Sequence, residues 1–175
     1  IKVKVCDFDN VDNVNTSSQF NGLKDLDKPK VEQLKENIKQ MCDEEIEIVN
    51  DKYKPEDFAD CDILVLALDS LAVRKQVIET CKDEQFILDT RMVKKLSQIN
   101  TLYWAQRDTR MEKEWDENAD SWNDGVRCTE KAVAFNALWM ACLVGSLVAD
   151  FLNGKTLMYQ YLLDLHNYDL YTFIS

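Results

Sequence analysis

Acidic residues stand at three places where apolar runs stop: Asp7 and Asp9 after residues 1–6, Asp69 after residues 62–68, and Asp89 after residues 85–88. In open parallel sheets ligands sit outside the carboxyl ends of the strands. An acid placed there can accept hydrogen bonds from ribose hydroxyls, or meet a magnesium ion directly or through water. The competing reading is that such acids end strands because they cap the next helix. Lys30 follows Pro29 at the start of an amphipathic segment, where a lysine adds charge to a helix end already favourable to anions. Cys128 lies between Arg127 and Lys131 just before the most apolar segment, and a helix start and nearby cations both favour a thiolate. His166 has no Cys or Ser partner that would make it a triad member.

These residues need elements to carry them. Residues 1–6 alternate as a strand, and residues 10–27 have the Asn, Asp and Ser content of a loop with a short helical turn. Pro29 at a first helical position opens a helix through Val31, Leu34, Ile38 and Met41. Residues 45–49 alternate as a half-buried strand, and residues 54–60 form a short helix or loop. The run 62–69 reads as a central parallel strand buried on both faces. Ser70 caps a helix over 71–81, and strands follow at 85–90 and 101–106. Residues 107–124 are highly charged and carry Trp115 and Trp122, as a lid, crossover or binding loop would. Residues 132–152 form an apolar helix with Trp139 in the core, ended by Asn153-Gly154. The tail, 157–174, makes a strand pair around a turn near His166. The order predicts an α/β, Rossmann-like fold: a mostly parallel sheet with an antiparallel end and helices on both faces. The expected division is a nucleotide-binding domain over 1–155, with 156–175 as a strand pair packed on it.

Composition narrows the function classes. The chain has 175 residues with 21 Lys and Arg against 32 Asp and Glu, a net charge of −11, which disfavours a nucleic-acid partner. No window holds the ~20 uninterrupted apolar residues of a membrane span. The six cysteines lack zinc-site spacing, so no zinc is expected, and scattered thiols suit a reducing, cytoplasmic compartment. Cys6, Cys61 and Cys142 have the apolar neighbours of small buried hydrophobes. The chain opens on Ile1 in mid-strand, without an initiator methionine, as a segment cut from something longer would.

Several motifs in order resemble the ThiF/MoeB/HesA family, the ubiquitin-activating-enzyme-like adenylyltransferases. They are Cys6-Asp7-Phe8-Asp9-Asn10-Val11, then Asn15 and Gln19, Lys28-Pro29-Lys30-Val31-Glu32, and Asp69-Ser70-Leu71-Ala72-Val73-Arg74. Asp89-Thr90-Arg91-Met92 resembles a family Asp-Gly-Arg-Met turn, and Cys128-Thr129-Glu130-Lys131-Ala132 resembles the segment after the crossover loop. The resemblance covers roughly residues 1–155. It implies ATP- and magnesium-dependent adenylation of the C-terminal carboxylate of a ubiquitin-like or sulfur-carrier protein, by a homodimer. By position, Asp7 would hold the ribose, with Asp9 beside it. Asn15 and Gln19 would line the nucleotide pocket, Lys30 would reach the phosphates, and Asp69 would serve magnesium. Thioester-forming members place a nucleophilic cysteine near the position of Cys128.

Two departures matter. The family's Gly-x-Gly-Gly-x-Gly phosphate loop is missing, since Gly22, Gly125, Gly145 and Gly154 are far apart, and it is expected upstream of Ile1. Ser18 stands where the family has an arginine that contacts the ATP phosphates. A non-catalytic nucleotide-binding or scaffold module is therefore the alternative. An NAD-type Rossmann protein is a third reading, opposed by the Lys-Pro-Lys and Asp-Ser…Arg motifs, which a dinucleotide site does not need.

Overall fold

The computed structural model describes residues 1–13, 16, 21–93, 96–103 and 134–173. The chain divides into two compact units, Ile1–Phe58 and Ala59–Ser175.

In the first unit, β1 (Lys4–Cys6) pairs in parallel with β2 (Glu47–Val49), and α1 (Lys30–Cys42) connects them. Pro29 is the residue before the helix rather than its first turn, and its fixed φ of −56° leads the chain into Lys30. Asp43 ends the helix in the left-handed conformation at φ 59°, its N–H donating to the Lys39 carbonyl at 3.1 Å. The core is small: Val11, Val31, Ile46 and Phe58 are buried, whereas Leu34 and Met41 remain exposed. The stretch before the helix is held as a strap. Val11 N–H donates to the Lys28 carbonyl at 2.8 Å and Asp27 N–H to the Val11 carbonyl at 3.0 Å. Within the strap, Gly22 N–H donates to the buried Asp25 carboxylate at 2.8 Å. That bond, with the Lys28 ammonium, keeps the Asp25 carboxyl below its ordinary range.

The second unit is a five-stranded sheet in the order β3-β4-β5-β6-β7: β3 (Ile63–Leu66), β4 (Phe86–Val93), β5 (Leu96–Tyr103), β6 (Gln160–Asp164) and β7 (Asp169–Phe173). Helix α2 (Leu71–Thr80) links β3 to β4, and α3 (Ala134–Leu152) precedes β6. The α/β class with its antiparallel end holds. Among the described residues the parallel pairings are β1–β2 and β3–β4, and the antiparallel end, β4 to β7, is the larger share.

Several expectations need correction. The run around β3 is not a central strand: among the described residues β3 pairs only with β4, and Val65 faces outward. The strand buried on both faces is β4, where Phe86, Ile87, Leu88 and Asp89 are each 0% exposed. Asp89-Thr90-Arg91-Met92 lies within β4 and makes no turn. Strand β5 begins at Leu96 rather than at 101. Its hairpin with β4 was hidden because Lys94-Lys95 between the strands is not a Gly or Asn turn signal.

Helix α3 presents two faces. Met140 and Leu147 pack with Phe86, Leu88 and Ile99 of the sheet, and the Phe86 and Phe151 rings stack at 4.2 Å. Phe135, Leu138, Trp139 and Cys142, at steps of three and four residues, are exposed. Trp139 is 58% exposed and is not core, which corrects the reading of an apolar helix as buried all round. Cys142 is likewise exposed, and Cys6 and Cys61 are half-buried; Cys81 is the buried cysteine among the described residues. By length and composition Phe135–Leu152 could cross a membrane, a test that a soluble core helix also passes. The helix ends as its Asn-Gly suggested. Gly154 takes φ 70°, and its N–H donates to the Phe151 carbonyl at 2.9 Å.

Candidate functional site

The first unit brings Asp7, Asp9 and Lys30 together across a separation of more than twenty residues. Lys30 Nζ donates to Asp9 Oδ2 at 2.8 Å and lies 4.0 Å from Asp7 Oδ2. The backbone makes this approach possible. Asp7 N–H extends the β1–β2 pairing to the Val49 carbonyl at 3.2 Å, and Lys30 N–H donates to the Asp9 carbonyl at 2.9 Å. Asn10 and Pro29 form an isolated antiparallel bridge. The chain leaving β1 is thus pinned to the start of α1. Asp9 N–H donates to Asp7 Oδ1 at 2.9 Å, which turns the two carboxylates to one side.

The cluster has accessible chemistry. Relative side-chain exposures of 20% for Lys30, 35% for Asp7 and 52% for Asp9 leave all three open to solvent or ligand. One ammonium shared by two carboxylates is a cation held in place beside oxygens that can accept further hydrogen bonds. Cys6, just before it, is a poor nucleophile: burial, and then the charges of Asp57, Asp7 and Asp51, push its thiol above the ordinary range.

In the second unit Asp69 is exposed in the turn between β3 and α2. Ser70 caps α2 as expected, its hydroxyl accepting from Val73 N–H at 3.3 Å. No group of three or more His, Cys, Asp or Glu fit to hold a metal occurs among the described residues. A single exposed carboxylate at a strand end still fits magnesium, which keeps several waters and is commonly held by one or two carboxylates plus substrate phosphates. Asp69 would hold it.

Asp89 is not at a ligand-facing strand end. It sits within β4, opposite Leu66 of β3, and is wholly buried between two arginines. Arg74 from α2 donates through Nη1 to Asp89 Oδ1 and to the Leu66 carbonyl at 3.1 Å, and through Nη2 to the Leu68 carbonyl. Arg91 Nε donates to Asp89 Oδ2 at 2.9 Å, and Asn100 Nδ2 donates to the same oxygen at 3.3 Å. Gln160 Nε2 and Gln98 Nε2 each donate to Asn100 Oδ1 at 2.9 Å. The roles of Arg91 and Asn100 were missed in the sequence. The alternation of Asp89 and Arg91, two apart on one strand face, was the available signal. Asn15, Gln19, Ser18, Cys128, Trp115 and Trp122 lie outside the described residues.

Parallel strand pairs connected by helices, followed by an antiparallel run of strands, define an α/β protein. The sequence matches the ThiF family over residues 1–174, and the chain belongs to that family. Comparison with curated proteins gives no match. Among solved structures, the chain is similar to E. coli MccB with AMPCPP and MccA (TM-score 0.75, 15% identity, 97% of this chain and 55% of that one). It is similar also to E. coli MccB with ATP (TM-score 0.72, 15% identity, 98% and 55%). PaaA gives a TM-score of 0.67 at 16% identity, over 95% of this chain and 62% of that one. At these identities the likeness concerns the fold. The chain spans a little over half the length of the MccB chains it matches.

Proposed function

We propose that the chain is the nucleotide-handling part of an ATP-dependent adenylyltransferase that activates a terminal carboxylate. The observation that carries this reading is the Asp7–Asp9–Lys30 cluster at the end of β1, in a chain of the ThiF family. A carboxylate oxygen attacks the α-phosphorus of ATP, the bond to the bridging oxygen breaks, and pyrophosphate leaves with its electron pair. The protein's work is to position the reactants and neutralise phosphate charge. Asp7 accepts from the ribose, and Lys30 turns from Asp9 to the phosphates, exchanging a partly exposed ion pair that costs little to open. Asp69 would hold magnesium, which would supply neutralisation of the phosphate charge. By the family resemblance, Asn15 and Gln19 would contact the nucleotide. Adenylation needs no thiol, so Cys128 carries no step in it.

The partner is the carboxyl end of a peptide or small carrier protein, as a ubiquitin-like or sulfur carrier would present it. MccB complexes with MccA support a peptide-type partner. A homodimer in the cytoplasm, with neither zinc, nucleic acid nor membrane, completes the reading. The test is magnesium-dependent ATP–pyrophosphate exchange with a candidate carrier, the family's glycine loop being supplied upstream. Exchange at background with the carrier present would overturn it. Ser18 in place of the family arginine favours a second reading, a nucleotide-binding module without adenylation. ATP binding by calorimetry without adenylate formation would select that one.

A further inference from the structure

We propose that Arg74 is a positioning residue for Asp69: its guanidinium clamps the end of β3 and so fixes the turn that presents the Asp69 carboxylate. This rests on the reading of Asp69 as the magnesium-holding acid. The turn between β3 and α2 is short, and the chain must reverse there while keeping one carboxylate in a defined place. Arg74 reaches back from the first turns of α2, donating to the Leu66 carbonyl at 3.1 Å and to the Leu68 carbonyl. Thr90 Oγ1, from β4, donates to the same Leu66 carbonyl at 2.9 Å. On the other side of Asp69, Ser70 is tied to Val73 by the helix cap. Both chain neighbours of Asp69 are therefore held while its own carboxylate stays exposed.

Arg74 is in turn held. Asp89 accepts from it, and Arg91 and Asn100 orient the other Asp89 oxygen at 2.9 and 3.3 Å. Arg74, Asp89 and Arg91 are 5%, 0% and 6% exposed. Burying such a cluster is a poor way to gain stability, because desolvation offsets much of the attraction. Its geometry does fix two carbonyls that a lysine could not fork between. A supporting shell of this kind holds a functional group within the tolerance a phosphate-bound ion needs.

The test uses the chain with the family's glycine loop supplied upstream, ATP, and Mn2+ as the spin-active probe, together with hydrogen exchange at residues 67–70. Arg74→Met is expected to speed exchange at those amides at least tenfold. It should weaken Mn2+ binding in the ATP complex about tenfold and leave metal-free ATP binding unchanged. Arg74→Lys should recover part of both, and Thr90→Val, which removes the second donor to Leu66, should show the same pattern more weakly. Should Arg74→Met fail to fold, those two variants decide. Unchanged exchange at 67–70 in the folded variants overturns the clamp. Faster exchange with undiminished Mn2+ affinity overturns the link to Asp69. If the parent chain with ATP binds no Mn2+, or Asp69→Asn binds it as well as the parent, the functional reading fails, while the exchange rates still decide the clamp.

Discussion

Two charged clusters of similar composition are used in opposite ways. Around Lys30, one cation faces two carboxylates and all three are open to solvent. Around Asp89, one carboxylate faces two guanidiniums and nothing is open. An exposed ion pair contributes at most about 1 kcal/mol and is easily exchanged for a ligand. A buried one is costly to break because the remaining charges lose their partner away from water. The first arrangement suits a group that must let go and bind something else. The second suits a frame.

Substitutions can break this comparison or sharpen it. The largest effect is expected from Asp89→Ala, which should destabilise the second unit by about 3–5 kcal/mol in a denaturant titration. A loss below 1 kcal/mol would mean the arginines find water and that the frame is no frame. Asp69→Asn should leave the denaturation midpoint unchanged but cut pyrophosphate exchange about 10²–10³-fold, the scale for removing a group that stabilises charge in the transition state. Lys30→Met follows, with ATP binding weakened about tenfold to a hundredfold, as loss of a charged hydrogen bond predicts. Asp9→Asn should change stability by less than about 1 kcal/mol, and less again at high salt. Were it to cost as much as Asp89→Ala, the two clusters would be alike after all.

The smallest effect is a titration. Lys54, and then the Lys52 backbone N–H, hold the Asp51 carboxyl below the usual range. Its folded value is depressed, so its contribution is full above the unfolded value and is lost as pH falls through the folded one. A carbon-detected NMR titration should place the Asp51 midpoint below that of an unpaired aspartate, and Lys54→Ala should bring it back toward the ordinary value.

Much of the layout could be read before the structure. Helix α2 and its Ser70 cap and the Gly154 end of α3 follow from local signals: a hydroxyl before a helix and a glycine after one. What could not be read was exposure. Val65 belongs to an unbroken apolar run and Trp139 to the most apolar helix, yet both face outward, because hydrophobicity records tolerance for burial and not which neighbour arrives. Asp89 and Arg91 misled in the opposite direction. Charges in a strand read as an ending, whereas Arg74, brought from α2, and Asn100, from β5, complete the partners that let Asp89 be buried.

The pairing pattern of the second unit also governs how it assembles. Strands β4 and β5 are near neighbours in the chain, as are β6 and β7, so each pair can zip as a hairpin within microseconds. The seam between β5 and β6 joins Leu96–Asn100 to Gln160–Asp164, with α3 and everything before it in between. Bringing strands so distant in sequence together carries an entropic cost before any seam contact forms, so docking of the two hairpins is expected to set the pace of folding. Substitutions along the seam, such as Ile99→Val, should slow refolding, whereas equally destabilising changes at the far side of β7 should mainly speed unfolding.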